Sequence, residues 1–137
     1  MRIAPTLLTA AAAAAALALP VSASAGKPSL GASVNRLDCG AQAVDAGAKA
    51  CGSVTFRNTA SRTVQIGARR IDESNAVDFT VSSSDCIATA YLAPGESCVV
   101  NLTFNPVATG RRSAKLVQGE NTLQTETSVR LVGFGTG

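Results

Sequence analysis

Four cysteines, Cys39, Cys51, Cys86 and Cys98, carry most of the reactive potential of this 137-residue chain. A thiol can attack a carbonyl, bind a metal, cycle between redox states or close a disulfide. Attack calls for a neighbouring base, usually histidine, and the chain has no histidine. Zinc sites place cysteines two to four residues apart, and none here are so spaced. A redox pair normally reads C-x-x-C, which is absent. Disulfides are favoured instead, by the even count and by an export signal at the N-terminus. Four cysteines allow three pairings, and sequence alone does not choose among them. The spacing points to local pairing: Cys39 and Cys51 lie 12 apart, as do Cys86 and Cys98, with turn-rich residues inside each interval. Such loops approach the 15-residue case, for which the chain-entropy model gives roughly 3 kcal/mol. A Cys39–Cys51 bridge is expected to matter less than Cys86–Cys98 if it ties only an edge strand.

Other polar groups give weaker signals. Ser82-Ser83-Ser84-Asp85 offers hydroxyls, but a triad lacks its histidine, and Lys27, Lys49 and Lys115 lie in no recognisable Ser–Lys motif. No catalytic residue is assigned, and the chain reads as no enzyme. Asp72, Glu73, Asn75 and Asp78 share one polar segment. Calcium wants six to eight oxygens, the spacing fits no EF-hand and the ligand count falls short. A calcium-stabilised secreted domain is therefore an alternative, and no metal or other cofactor is assigned. The net charge of +3 is too small for a nucleic-acid partner. Arg69-Arg70 and Arg111-Arg112 are adjacent, and strand alternation sends each pair to opposite faces instead of clustering it.

These groups must be positioned by strands. Met1-Arg2 opens a positively charged start, an alanine-rich apolar run follows, and "VSASA" supplies the A-x-A that signal peptidase accepts. Residues 1–25 read as a signal peptide and 26–137 as one domain without a transmembrane segment. Beyond the leader no segment keeps helical spacing for three turns. Alternation appears in "CGSVTFRN", "RTVQIGARRI", "SCVVNLTF", "RRSAKLVQ" and "TSVRLVGFG", each with one apolar and one wet face. In "RTVQIGARRI", Val64, Ile66 and Ala68 share a face. In the last segment Val129 and Leu131 oppose Arg130 and Val132. Turn signals separate the segments at "NTAS", Pro94-Gly95, Asn105-Pro106, Gly110 and "GEN". With weaker strands near 30–38 and 77–82, the total is about seven, which predicts an all-β, immunoglobulin-like antiparallel β-sandwich. The predicted core is Val54, Phe56, Ile66, Phe79, Val100, Leu102, Phe104, Leu116 and Leu131. Cys98 shares the apolar face of its strand, where a staple fits better than a catalyst.

The segment from Asp78 onward resembles the bacterial choice-of-anchor D domain, part of the wider abnormal-spindle/Hydin (ASH) group of immunoglobulin-like modules. The matching features are Asp78-Phe79, Cys86, Leu92-x-Pro94-Gly95-x-x-Cys98, Phe104-x-Pro106, Gly110 and Leu131-x-Gly133-x-Gly135. Upstream, "TFRNTASRTVQI" is similar to the group's strand-Asn-turn-strand around Asn58. The resemblance spans about 100 residues. It implies that Cys86–Cys98 is an ordinary pair and that Cys39–Cys51 is an addition, standing where the group carries Phe before Gly. It also implies a binding or scaffolding module without enzyme activity.

The expected function is an exported, periplasmic or secreted, non-catalytic interaction or structural module of the bacterial envelope, stapled by two disulfides. A pilus-chaperone-like periplasmic binding domain is a further alternative, although a single short domain argues against it. The partner, a protein or another envelope component, and the oligomeric state are not specified by the sequence. Loops carry most recognition on such scaffolds. The acidic segment Asp72–Asp78, with Asp72, Glu73 and Asp78, is the first choice. Ser82–Asp85, Val107–Arg112 and Gly119–Asn121 follow.

Overall fold

Alternating apolar side chains build nine strands in a computed structural model that describes residues 27–137. The leader expected over 1–25 lies outside the described residues. The strands are β1 (Leu30–Ala32), β2 (Arg36–Ala43), β3 (Lys49–Asn58), β4 (Val64–Asp72), β5 (Phe79–Ser84), β6 (Tyr91–Leu92), β7 (Ser97–Phe104), β8 (Gly110–Glu120) and β9 (Glu126–Thr136). A four-stranded sheet ordered β1-β3-β7-β5 packs on a five-stranded sheet ordered β2-β9-β8-β4-β6. The architecture is the expected immunoglobulin-like β-sandwich. It differs in strand count and in one parallel pair, β2 with β9. The extra strands come from the two-residue β6 and from a break in the segment near 30–38. β1 pairs with β3 in one sheet, and after the turn at 33–35 β2 pairs with β9 in the other.

All nine core residues named above are 3% exposed or less. Phe79 and Phe104 stack with ring centroids 5.1 Å apart. The other face of Phe104 needs Gly133, because a Cβ there would lie 2.5 Å from the ring. Asn58 is the buried polar hub of the "NTAS" turn. Its Nδ2 donates to Arg62 O at 2.8 Å and Leu92 O at 2.9 Å, and its Oδ1 accepts from Ala60 N at 2.9 Å. Three carbonyl and amide groups that the turn would strand are thereby satisfied.

β4 and β9 each depart from the alternation. Ala68 is exposed, because the β4–β8 register shifts between Ile66 and Arg69. The bulge adds a residue and turns the following side chain over. Val132 is 3% exposed although it sits on the outer face of β9, away from the inter-sheet core.

Both disulfides join local neighbours, Cys39–Cys51 and Cys86–Cys98. Cys39 falls where the β2–β9 register shifts and Cys51 where the β3–β7 register shifts. Each bulged cysteine precedes a glycine of positive φ, Gly40 at 73° and Gly52 at 142°. The bond therefore crosses from one sheet to the other through two bulges.

Candidate functional site

The acidic segment folds as a crossover from β4 to β5, with a 3-10 turn at Ala76–Asp78. Its groups do not converge. Asp72 Oδ2 accepts from Arg70 Nε at 2.7 Å. Glu73, at φ 80°, faces Lys115 Nζ at 3.6 Å and Arg130 Nη1 at 3.5 Å. Asn75 Oδ1 accepts from Ser113 N at 2.8 Å. Asp78 is 1% exposed, and Arg112 Nε donates to its Oδ2 at 2.5 Å. A buried carboxylate held by an arginine offers no surface, so Asp78 leaves the exposed set in which the sequence placed it. The calcium alternative loses its geometry, since each of the four groups is turned to a different partner. Among the described residues the one group of three potential ligand side chains within 4.8 Å is Asp85, Cys86 and Cys98. Its two sulfurs are bonded to each other, and Asp85 Oδ1 accepts from Val99 N at 2.6 Å.

The serines are similarly engaged. Ser82 Oγ donates to Asn101 O at 3.2 Å, and Asn101 Nδ2 donates to Ser83 Oγ at 3.0 Å. Asn101 is thus occupied by the neighbouring edge strand β5. Ser84 Oγ accepts from Cys86 N at 2.9 Å and from Arg69 Nη1 at 3.3 Å. Lys49 Nζ donates to Ala41 O at 3.0 Å and Lys115 faces Glu73, so neither amine stands beside these hydroxyls.

The adjacent arginines divide as alternation requires. Arg69 turns in, donating also to Cys86 O at 3.1 Å and to the buried Gln118 Oε1 at 3.4 Å. Arg70 turns out to Asp72 and Glu126, each at 2.7 Å. Hydrogen bonds to those carboxylates raise the Arg70 pKa further above its usual range, and Glu126 is correspondingly lowered. Arg112 turns in to Asp78, while Arg111 is exposed. Gly119–Asn121, another expected binding loop, is pinned by Glu120. Its Oε1 accepts from Thr122 N and Leu123 N, and its Oε2 from Thr125 N and Oγ1, at 2.8–2.9 Å.

The outer face of the five-stranded sheet carries exposed groups that these contacts do not engage. A depression of about 290 Å³ there is lined by Arg36, Asp38, Gly40 and Ala41 of β2, Arg111 of β8, and Val132, Gly133 and Phe134 of β9. Val132 forms its buried floor, and Phe134, 52% exposed, stands beside it. The sequence reading placed Arg111 in the Val107–Arg112 loop and on the opposite strand face from Arg112, and missed Arg36 and Phe134. The signal was present: Phe134 occupies a wet-face position between Gly133 and Gly135, where an aromatic is unexpected.

No protein-family model matches the chain, and no curated protein matches it in sequence. Solved structures do share its fold. The VesB protease of Vibrio cholerae is 18% identical, with a TM-score of 0.57, over 77% of this chain and 32% of that one. The ASH/PapD-like domain 7 of human CEP192 is 9% identical, with a TM-score of 0.57, over 80% of this chain and 86% of that one. A chain of the CsuC–CsuE chaperone–tip adhesion subunit pre-assembly complex of Acinetobacter baumannii is 15% identical, with a TM-score of 0.52, over 79% of this chain and 57% of that one. The fold is thus an immunoglobulin-like sandwich of the ASH/PapD-like type, as the sequence resemblance implied. The chain spans about a third of VesB's length and just over half of the Csu chain.

Proposed function

We propose that the chain is an exported, non-catalytic interaction module of the bacterial envelope, with a leader over 1–25 and a binding domain over 26–137. The observation that carries this reading is the pair of closed disulfides within the sandwich. Such bonds form and persist in oxidising compartments. The hydroxyl and carboxyl groups that could have formed a catalytic set are instead spent on loop and edge contacts, which supports a binding role. So does the Csu relative, whose fold serves in a complex between a chaperone and a subunit. The VesB likeness extends to 32% of that protease and transfers no activity.

The reading is tested by fractionating expressing cells and alkylating thiols before lysis. The expected result is a protein in the periplasmic or extracellular fraction with no alkylated cysteine. A cytoplasmic pool with all four cysteines alkylated rejects it. Pull-down from envelope extract then asks for a partner, and a domain that enriches nothing supports a purely structural role. The chaperone-like alternative draws on the likeness to the Csu chain. It predicts that the protein holds an unfolded subunit in solution, which a light-scattering aggregation assay reads directly.

A further inference from the structure

Five cations stand on the outer face of the five-stranded sheet: Arg36, Arg70, Arg111, Lys115 and Arg130. The register puts them there, because cross-strand partners share a face. Arg36 is level with Arg130, Arg111 with Phe134, Lys115 with Asp72, and Arg70 with Val117. Three of the five are neutralised within the sheet. Arg70 pairs with Asp72 and Glu126, and Lys115 and Arg130 share Glu73. Among the described residues Arg36 and Arg111 have no carboxylate within 4.0 Å, and both are exposed. These same two flank the depression over Val132 and Phe134.

We infer that this depression binds an extended acidic peptide, with one carboxylate on Arg36, another on Arg111, and an apolar side chain between them against Val132 and Phe134. This rests on the reading of the chain as a binding module and names the surface it uses. The two arginines are four residues apart along the strands and two strands apart across them. Ordinary sheet geometry makes that about 16 Å between Cα positions. In an extended peptide, residues i and i+4 point to one side and lie about 13 Å apart, within reach of two arginine arms. Residue i+2 then faces the apolar floor. The pattern recognised is acid-x-apolar-x-acid. Gly40 and Ala41 put no long side chain on this rim, so a main chain can approach.

Asp38 decides between a peptide and a polyanion. It is exposed on the rim of the same depression, with Oδ1 held by Gly40 N at 2.9 Å. Charge spread evenly along a sulfated glycan would meet Asp38 between the arginines, and like charges in contact repel. Two discrete carboxylates separated by uncharged residues avoid it.

The test is an amide chemical-shift titration of the oxidised protein with the peptide Gly-Asp-Thr-Leu-Thr-Asp-Gly. Expected are saturating shifts at Ala41, Arg111, Val132 and Phe134. Arg36→Glu and Arg111→Glu should each weaken binding about tenfold or more, as charge reversal at a paired site does. Phe134→Ser should weaken it too, while Arg57→Glu, on the four-stranded sheet, should not. All four positions are exposed, so unchanged melting temperatures are expected and are checked alongside. Absence of saturation, shifts centred elsewhere, or equal affinity for the lysine peptide Gly-Lys-Thr-Leu-Thr-Lys-Gly overturns the proposal. Equal or tighter binding of a heparin oligosaccharide, lost in the same variants, overturns the peptide assignment. Failure of the groove is separable from failure of the module. If Arg36→Glu/Arg111→Glu protein captures the same envelope partner as the parent, the groove falls and the module stands.

Discussion

Glu120 and Asp78 are both acids in polar segments, and both face inward. Burial acts to raise the Glu120 pKa, but hydrogen bonds from Leu123, Thr125 and Ser29 outweigh it and hold the carboxyl below its usual value. A depressed folded pKa stabilises the fold above the unfolded value of about 4.3, and that stability is lost as pH falls through the folded pKa. Glu120→Gln should therefore cost about 1–3 kcal/mol near neutral pH, by leaving loop amides poorly matched. Melting curves of parent and variant should converge as the buffer is acidified below pH ~4. A gap that persists at low pH would mean the side chain acts through packing alone. Asp78→Ala strands the Arg112 guanidinium in a buried site and should cost about 3–5 kcal/mol in urea titrations. Asp72→Ala and Glu73→Ala should leave the urea midpoint nearly unchanged, since their partners are exposed. The sequence did not separate these acids. Asp72, Glu73 and Asp78 differ in burial only because the crossover turns at Glu73 and then tucks Asp78 under Arg112. That is a tertiary choice with no local signature.

Among the elements, β7 was the most legible, because it presents an unbroken period of two to the core, and β3, β8 and β9 were legible from the stretches Val54–Phe56, Ala114–Leu116 and Val129–Leu131, where the alternation holds. β4 was legible only as far as Ile66. Its bulge adds a residue that a fixed period cannot register, and Gly67, closely backed by Asn121, was the clue. β2 was read only in part, as the end of the weak segment near 30–38, since its alternation breaks at Cys39. The repeated Cys-Gly of 39–40 and 51–52 marked both bulges. Because that bridge joins the sheets and does more than tie an edge, Cys39→Ser/Cys51→Ser should cost as much as Cys86→Ser/Cys98→Ser. Each pair is worth about 3 kcal/mol. Denaturant titration of both double variants checks the ranking, and near-parental stability of the Cys39/Cys51 pair would restore the edge-strand view. Gly133→Ala should cost about 1–3 kcal/mol, through overpacking against the Phe104 ring.

At the scale of the molecule, composition and turn spacing were enough for the sandwich, because an all-β chain of this size has few ways to bury alternating faces. The surface groove was not legible. Arg36, Arg111 and Phe134 come from three strands far apart in sequence, and only the order β2-β9-β8 brings them together. That same order has a mechanical side. β2 and β9 run parallel as the outer pair of their sheet, so opposed tension on the two ends of the described chain drags them past each other lengthwise. Their hydrogen bonds then share the load together instead of opening one at a time. The Cys39–Cys51 loop cannot pay out chain while the bond is closed. Pulled from its ends, the oxidised domain should resist with a single high force peak, and reduction should lengthen its extension by the released loop.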